Sequence, residues 1–399
     1  MAGESERLNA PISTQELERR WNAVRKAMEA QRIDVLVMQN NNDFMGGYVK
    51  YFTDLPATNG YAMSVVFPRD DGMTVIGQGP FGQDRQLPPE GDGLRRGVKR
   101  VMSSPSYASA PFTKEIDAGL AEKAMAAYSG GTIGLVGTAS MPSAFVDYLR
   151  RGKLSNAKFV EASDLVDDIK AIKSAEEVAI MRRTALMQDK CMEAAFAAMA
   201  PGKKEIEIAA VAEQTGHLYG SEQGLFLCSS APLGTAQMQA NRHLQNRTLA
   251  AGDALALLVE SNGAGGYYTE LGRTAVLGKV SQEMKDEFEF VMKARNFTLN
   301  LMKPGASCKD IWDAYNQFMR ENKHPEEQRL YCHGQGYDMV ERPLVRFDEP
   351  MKLKANMVLS CHPTYTTSGA FNWACDDYLI TDAGPERIHA FPEIITEIG

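Results

Sequence analysis

Four short segments in the second half of this 399-residue chain set ionisable side chains beside strand-like runs or glycines. Leu258-Val-Glu260 and Tyr267-Tyr-Thr-Glu270 flank the stretch Gly263 to Gly266, and a hairpin turning there puts Glu260 and Glu270 on adjoining strands, able to share a face. His333-Gly-Gln-Gly336 presents a histidine flanked by glycines, an arrangement that lets a ligand approach the backbone closely. Ser360-Cys-His362-Pro363 ends a strand that begins at Met357, and Cys375-Asp376-Asp377 immediately precedes the strand run Tyr378-Leu-Ile-Thr381. Two carboxylates buried on one face repel each other and need a metal ion, a proton or a base to be tolerated. Glutamate, histidine and aspartate arriving from separate strands suit a hard-to-borderline divalent ion such as iron, manganese, zinc or cobalt. Any one of these residues alone is more often a surface or satisfied polar group, and His217, His324 and His389 are read that way. Tyr267, Tyr268, Tyr337 and Trp373 could line a pocket, although aromatics at strand alternation are more often core. The chain has no G-x-S-x-G elbow, Walker loop or H-E-x-x-H helix, which disfavours serine-hydrolase, P-loop and zincin chemistry.

The elements that would position these residues follow from the hydrophobic pattern. Residues 12–31 open with a Ser13/Glu16 capping signal and continue with apolar spacing near 3.6, which predicts a helix. Strands are expected at 34–38, 62–67, 73–77 and 132–136, with helices at 118–128 and 141–149, giving an α/β domain over 1–167. Gly131, Gly134 and Gly137 fall in that stretch, but their G-x-x-G-x-x-G spacing is not a dinucleotide fingerprint and they read as glycines in and around a short strand. A second domain, 168–399, opens with the capping box Ser174-Ala-Glu-Glu177 and a helix reaching about Met199. A further helix is expected at 205–219, then strands at 225–228, 254–259, 266–270 and 273–277, helices at 282–302 and 308–320, and strands at 357–360 and 378–381. This order predicts an α+β domain with helices over a curved antiparallel sheet.

Composition narrows the function classes. With 44% hydrophobic and 24% charged residues the chain has ordinary globular make-up, excluding a disordered or fibrous chain. A formal charge of −8 argues against nucleic acid or an anionic membrane as partner. Met1 to Pro11 is polar, so no export signal is expected, and no run of about 18 apolar residues suggests a membrane span. Six scattered cysteines without C-x-x-C spacing read as reduced, mostly buried thiols of a cytoplasmic protein.

In this order the segments resemble the pita-bread superfamily of creatinase, aminopeptidase P, prolidase, methionine aminopeptidase and dimethylsulfoniopropionate lyase, over nearly the whole chain. The marks are Ile169-Lys-Ala-Ile-Lys-Ser174 with Glu177, Ala251-Gly252-Asp253, Gly266-Tyr-Tyr-Thr with Arg273-Thr274, Leu301-Met-Lys-Pro-Gly305 and Asp376-Asp377-Tyr-Leu-Ile-Thr381. The resemblance implies an N-terminal creatinase-like α/β domain, a C-terminal catalytic pita-bread domain, and a homodimer with the site near the subunit interface.

It also implies a non-standard site. The superfamily's peptidases bind two metals with two aspartates, a histidine and two glutamates. Here Glu270 stands at the second aspartate, Glu260 one residue late for the first, Tyr337 at the histidine, His362 at the first glutamate and Asp376 at the second. The lyase resembles His333-Gly-Gln-Gly336 with Glu341-Arg-Pro-Leu-Val345, and through it the implied metal set becomes Glu260, Glu270, His333, His362 and Asp376 around one divalent ion. Creatinase works without metal; its catalytic histidine aligns at Asn241, with His243 two residues on, and its glutamate before the Arg-Thr pair is Gly272. His243, His333, Tyr337 and Glu270 are thus the candidate catalytic groups. The expected function is metal-dependent cleavage of a C–N bond in a small substrate. The alternatives are a metal-free creatinase-like hydrolase or a lyase, and a binding domain without catalysis. Arg242, Arg247, Arg342 and Arg346 would suit a substrate carboxylate, against the commoner reading of surface arginines.

Overall fold

The computed structural model describes the chain except residues 1–11, 41–46, 56–59, 90, 237–239, 365, 366 and 368. The polar segment 1–11, where no export signal is expected, lies outside the described residues. Two compact units divide the chain, Pro11–Lys170 and Ala171–Gly399. The expected boundary at 167/168 falls inside a helix, Ser163–Lys170.

In the first unit, strands β1 (Val35–Asn40), β2 (Met63–Pro68), β3 (Met73–Gln78), β4 (Asp84–Gln86), β5 (Val98–Ser104), β6 (Thr132–Val136) and β7 (Lys158–Glu161) form one sheet in the order β4-β5-β3-β2-β1-β6-β7. Five helices accompany it: α1 (Thr14–Gln31), α2 (Tyr48–Thr53), α3 (Lys114–Ala124), α4 (Ser143–Arg151) and α5 (Ser163–Lys170). The Ser13 hydroxyl accepts the Glu16 N–H at 3.1 Å, so α1 starts where its capping signal predicts. Val37, Ile76 and Leu135 from the sheet meet Ala118 of α3 and Phe145 of α4 in one core. Strands β4, β5 and β7 escape the sequence pattern because charged residues interrupt each of them and β4 is wholly exposed. A Cβ on Gly134 would lie 2.5 Å from Leu36 Cδ2, so packing between strands accounts for that glycine.

The second unit begins with α6 (Ala175–Ala197), whose capping box is complete: Glu177 N–H donates to Ser174 Oγ at 3.2 Å and Ser174 N–H to Glu177 Oε2 at 2.6 Å. There follow α7 (Glu205–Leu218), β8 (Gly224–Pro232), β9 (Asp253–Asn262), β10 (Tyr268–Leu277), α8 (Gln282–Leu301), α9 (Cys308–Glu321), β11 (Cys332–Gly334), β12 (Glu341–Leu344), β13 (Val358–Cys361), β14 (Asp376–Thr381), β15 (Gly384–Arg387) and β16 (Thr396–Ile398). They make two sheets, β16-β10-β9-β8 and β12-β11-β13-β14-β15, antiparallel apart from the β10–β16 pair. The strands expected at 266–270 and 273–277 are one strand, β10. Gly272 does not interrupt it, because it pairs with Leu258 and also bridges to Cys375 of the other sheet.

Period-two alternation decides what each face carries. On the first sheet Leu255, Leu257, Val259, Leu271 and Ala275 pack against Met192, Phe196 and Ile208 of α6 and α7. On the second, Cys332, Leu359, Cys361, Tyr378 and Ile380 pack against Ile311 and Tyr315 of α9. Ionisable residues of opposite parity, Glu260 and Glu270 on one sheet and His333 on the other, are therefore turned away from the helices. Among the described residues no helix is long and apolar enough to cross a membrane. All six cysteines are buried and free of disulfides.

Candidate metal centre

The hairpin between β9 and β10 turns as expected, with Gly266 N–H donating to Gly263 O at 2.8 Å, and Gly265 and Gly266 both at positive φ. Its register sets Glu260 directly opposite Glu270. Across from them, β11 pairs His333 with Ser360 of β13, and β13 pairs Ser360 with Asp377 of β14, so those three side chains share a face. His362 follows β13 with the same parity.

These placements converge on Glu270. His333 Nε2 stands 3.5 Å and His362 Nε2 3.8 Å from Glu270 Oε2, and Ser360 Oγ donates to the same oxygen at 2.9 Å. One donor atom from each of Glu270, His333 and His362 lies within 4.8 Å of the others. The imidazole rings meet edge to face, 5.1 Å between centroids. Gln335 Nε2 lies 3.5 Å from both Glu260 Oε1 and Glu270 Oε2, bridging the carboxylate pair. Glu260, Glu270, His333 and His362 are 6%, 3%, 3% and 9% exposed, so water screens none of them.

The electrostatics follow from that crowding. Burial and the charges of Glu270 and Asp377 drive Glu260 well above the usual carboxylate range. Burial also opposes ionisation of Glu270, but the two imidazoles and the Ser360 hydrogen bond outweigh it and keep this carboxylate charged. Burial pushes His362 down to about 4, leaving a neutral imidazole, the form that binds metal. Burial works against charge on His333 too, yet the adjacent Glu270 carboxylate raises it. His333 Nδ1 is held by the Gly334 carbonyl at 3.0 Å, which turns Nε2 toward Glu270.

The structure does not bring Asp376 to this centre. It pairs with Cys361, on the helix-facing side of β14, where Arg273, Arg295 and Arg387 contact its carboxylate at 2.7, 2.9 and 2.7 Å. Burial disfavours its charge, but the arginines hold its carboxyl below the ordinary aspartate range. One residue of parity separates it from the site, and its neighbours on either side face the cluster instead. Cys375 Sγ lies 3.2 Å from Ser360 Oγ, and Asp377 Oδ2 accepts the Glu270 backbone N–H at 3.0 Å.

The other candidate residues occupy several environments. His243 is exposed in a single 3-10 turn, Arg242–Leu244. Tyr337 is buried against Tyr267, ring centroids 4.1 Å apart, and Tyr267 donates to Glu177 at 2.7 Å. The glycines after His333 do not open the backbone to a ligand: a Cβ on Gly336 would lie 2.4 Å from the Glu341 carboxylate, and one on Gly334 2.6 Å from the Arg342 carbonyl. Gly272, where creatinase has a glutamate, is filled by the Trp373 indole, 1.8 Å from where a Cβ would be. The four arginines suited to a substrate carboxylate are each paired within the chain: Arg242 with Glu213, Arg247 with Asp253 at 2.6 Å, Arg342 with Glu349 at 2.6 Å and Arg346 with Asp348 at 2.5 Å. Ser360, Gln335 and Asp377 lie inside the segments to which the sequence points, but spacing assigns them no role, because which of these side chains face the cluster follows from strand register.

The model of metallopeptidase family M24 matches residues 179–382, which span both sheets and every residue of the cluster. The chain belongs to this family. It is thereby a hydrolase of the pita-bread superfamily, as its motifs lead one to expect. Over 259 residues it is 27% identical to a Xaa-Pro dipeptidase of Pyrococcus horikoshii, covering 62% of this chain and 71% of that protein. Over 268 residues it is 27% identical to a Xaa-Pro dipeptidase of Pyrococcus furiosus, covering 64% and 73%. The fold matches X-Pro aminopeptidase from Thermotoga maritima with a TM-score of 0.76 at 18% identity, over 95% of this chain and 99% of that one. It also matches zinc-substituted aminopeptidase P from E. coli, with a TM-score of 0.73 at 17% identity over 97% of both chains. These likenesses extend over both units and establish the expected layout of an N-terminal α/β domain followed by a pita-bread domain. Divalent metal belongs to the chemistry of this M24 family, and the donor set of this chain fits an ion: a carboxylate and two imidazoles within reach of one another, with Gln335 Oε1 buried beside them and unpartnered among the described residues.

Proposed function

We propose that this M24 protein hydrolyses a C–N bond of a small peptide or amide, using one divalent ion held by Glu270, His333 and His362. The observation that carries this reading is the mutual approach of those three donors in a buried site. Zinc, manganese, iron and cobalt all suit two imidazoles and a carboxylate. When bound, such an ion lowers the pKa of water to about 7 and polarises a carbonyl. Glu260 faces the ligand carboxylate and is kept protonated by burial and its neighbours, which makes it our choice for general acid: it delivers its own proton to the departing amine nitrogen and is returned to the acid form by the proton that the attacking water gives up. The products are a carboxylic acid and an amine.

The relatives' names make Xaa-Pro dipeptides the first substrates to try, beside non-proline dipeptides and small amides. The test is elemental analysis of protein purified without a histidine tag, followed by turnover of that panel before and after chelation. About one equivalent of metal per chain, with activity lost on chelation and restored by added ion, supports the proposal. A metal-free protein that turns over substrate in the presence of chelator refutes it and favours the metal-free creatinase-like reading, for which the His333–Glu270 pair at 3.5 Å would be the proton-handling unit. We keep the homodimer as part of the proposal, to be checked by sedimentation equilibrium.

A further inference from the structure

Asp377 leads from the site toward groups that the hydrolytic reading leaves unused. The carboxylate oxygen that accepts the Glu270 N–H at 3.0 Å also lies 3.8 Å from Nε2 of His389. On its other side, His389 Nδ1 stands 3.4 Å from Asp189 Oδ1 on α6. Asp189 is fixed in turn by the backbone N–H groups of Ala390 and Phe391, at 2.8 and 3.1 Å. All three side chains are buried. Burial alone would strip the proton from His389, but two flanking carboxylates overcome it and push this histidine up to about 9. An imidazolium thus sits between a helix carboxylate and a carboxylate that grips the backbone of a proposed metal ligand.

We propose that His389 is a positioning residue: paired by charge with Asp189 and Asp377, with neither ring nitrogen in a hydrogen bond among the described residues, it keeps Asp377 against the Glu270 amide and so aims the Glu270 carboxylate at His333 and His362. The proposal rests on the metal-centre reading above. Two observations set this chain of contacts apart from a tie that only secures the C-terminal segment. That segment is already secured by Arg273, which donates to the Pro392 carbonyl at 2.8 Å, and by β16 pairing with β10. Moreover, Asp377 Oδ1 has no hydrogen-bond partner among the described residues, so this carboxylate is not saturated by structural contacts. Partners behind a metal ligand typically change affinity by about 10–100-fold when removed.

The experiment uses the full chain, as wild type, His389→Gln and Asp189→Asn, the second variant serving if the first does not fold. Two quantities are read: hydrogen exchange of the peptide containing Glu270, and Mn²⁺ affinity of the metal-stripped protein by titration calorimetry. Each variant should speed exchange at Glu270 while leaving the 275–277 segment, still paired with β16, unchanged. Mn²⁺ should bind about 10–100-fold more weakly to the variants. Exchange and affinity both at wild-type values, with only the unfolding midpoint lowered, would overturn the proposal and leave His389 a structural tie. Faster exchange with unchanged affinity would overturn it as well. A wild type that binds no Mn²⁺, Zn²⁺ or Fe²⁺ defeats the metal reading itself, and the exchange data then report separately whether His389 holds the Glu270 strand.

Discussion

Adjacent residues of β14 carry carboxylates into opposite environments. Asp376 faces α8 and meets three guanidinium groups, so its charge is compensated within the fold. Asp377 faces the sheet interior, beside Glu270 and Glu260, and the positive partner that meets its carboxylate among the described residues is His389. A carboxylate ringed by arginines is finished; it needs nothing from solution and offers nothing to it. A crowd of three carboxylates with imidazoles and two unpartnered oxygens, Gln335 Oε1 and Asp377 Oδ1, is short of positive charge, and a divalent ion supplies it. The contrast separates structural acid from functional acid on a single strand, and it rests on parity alone.

Breaking the finished side should have the largest effect on stability. Asp376→Asn leaves two buried arginines, Arg273 and Arg295, and the half-buried Arg387 short of a counter-charge and should cost about 3–5 kcal/mol, measured by urea unfolding. On the functional side the expected result is inverted. Glu270→Gln should weaken metal binding by at least about 100-fold in calorimetry and destabilise the metal-free protein by less than Asp376→Asn does, because losing the contacts of Glu270 to His333, His362 and Ser360 is partly offset by relief of its repulsion with Glu260. If Glu270→Gln destabilised the metal-free protein as much as Asp376→Asn does, the division between the two faces would be wrong.

The pH dependence sharpens the comparison further. His389 binds its proton more tightly in the folded chain, at about 9, than in the unfolded chain, near 6.5. Its contribution is therefore complete below about 6.5 and is lost as pH rises through 9, on the order of 3 kcal/mol at most. His389→Gln should flatten the stability profile between those values. A smaller effect is expected at the seam of the two sheets, where Gly272→Ala would drive a methyl into the Trp373 ring and cost about 1–3 kcal/mol by thermal unfolding. The smallest belongs to His243→Ala in its exposed turn, which should shift stability by less than about 0.5 kcal/mol and leave metal affinity unchanged.

Much of this architecture was legible in the chain. Ser13/Glu16 and Ser174/Glu177 mark helix starts by local chemistry, and the Gly263–Gly266 turn with its flanking apolar runs marks the hairpin that brings Glu260 and Glu270 together. The glycine-flanked His333 and the strand-ending His362 were also visible as candidates. Asp376 was misplaced because two aspartates in a row give no hint of which one faces inward; that follows only from the pairing of β14 with β13, a contact between distant segments. Gly336 and Gly272 were ambiguous for a related reason. A glycine signals that something comes close, but the sequence does not say whether it is a ligand, the Glu341 carboxylate or an indole. His389 looked like an ordinary polar residue because its partners, Asp189 and Asp377, arrive from a remote helix and a neighbouring sheet.

The short strand β16 pairs with β10 through Ala275, Val276 and Leu277. It therefore shields a border that would otherwise present open backbone groups on the strand carrying Glu270. A protease nick between β15 and β16 would loosen that shield and leave a chain with adhesive edges, prone to pair with its own copies. For anyone handling the protein, the integrity of its last turn of sequence is a matter of solubility as well as of shape.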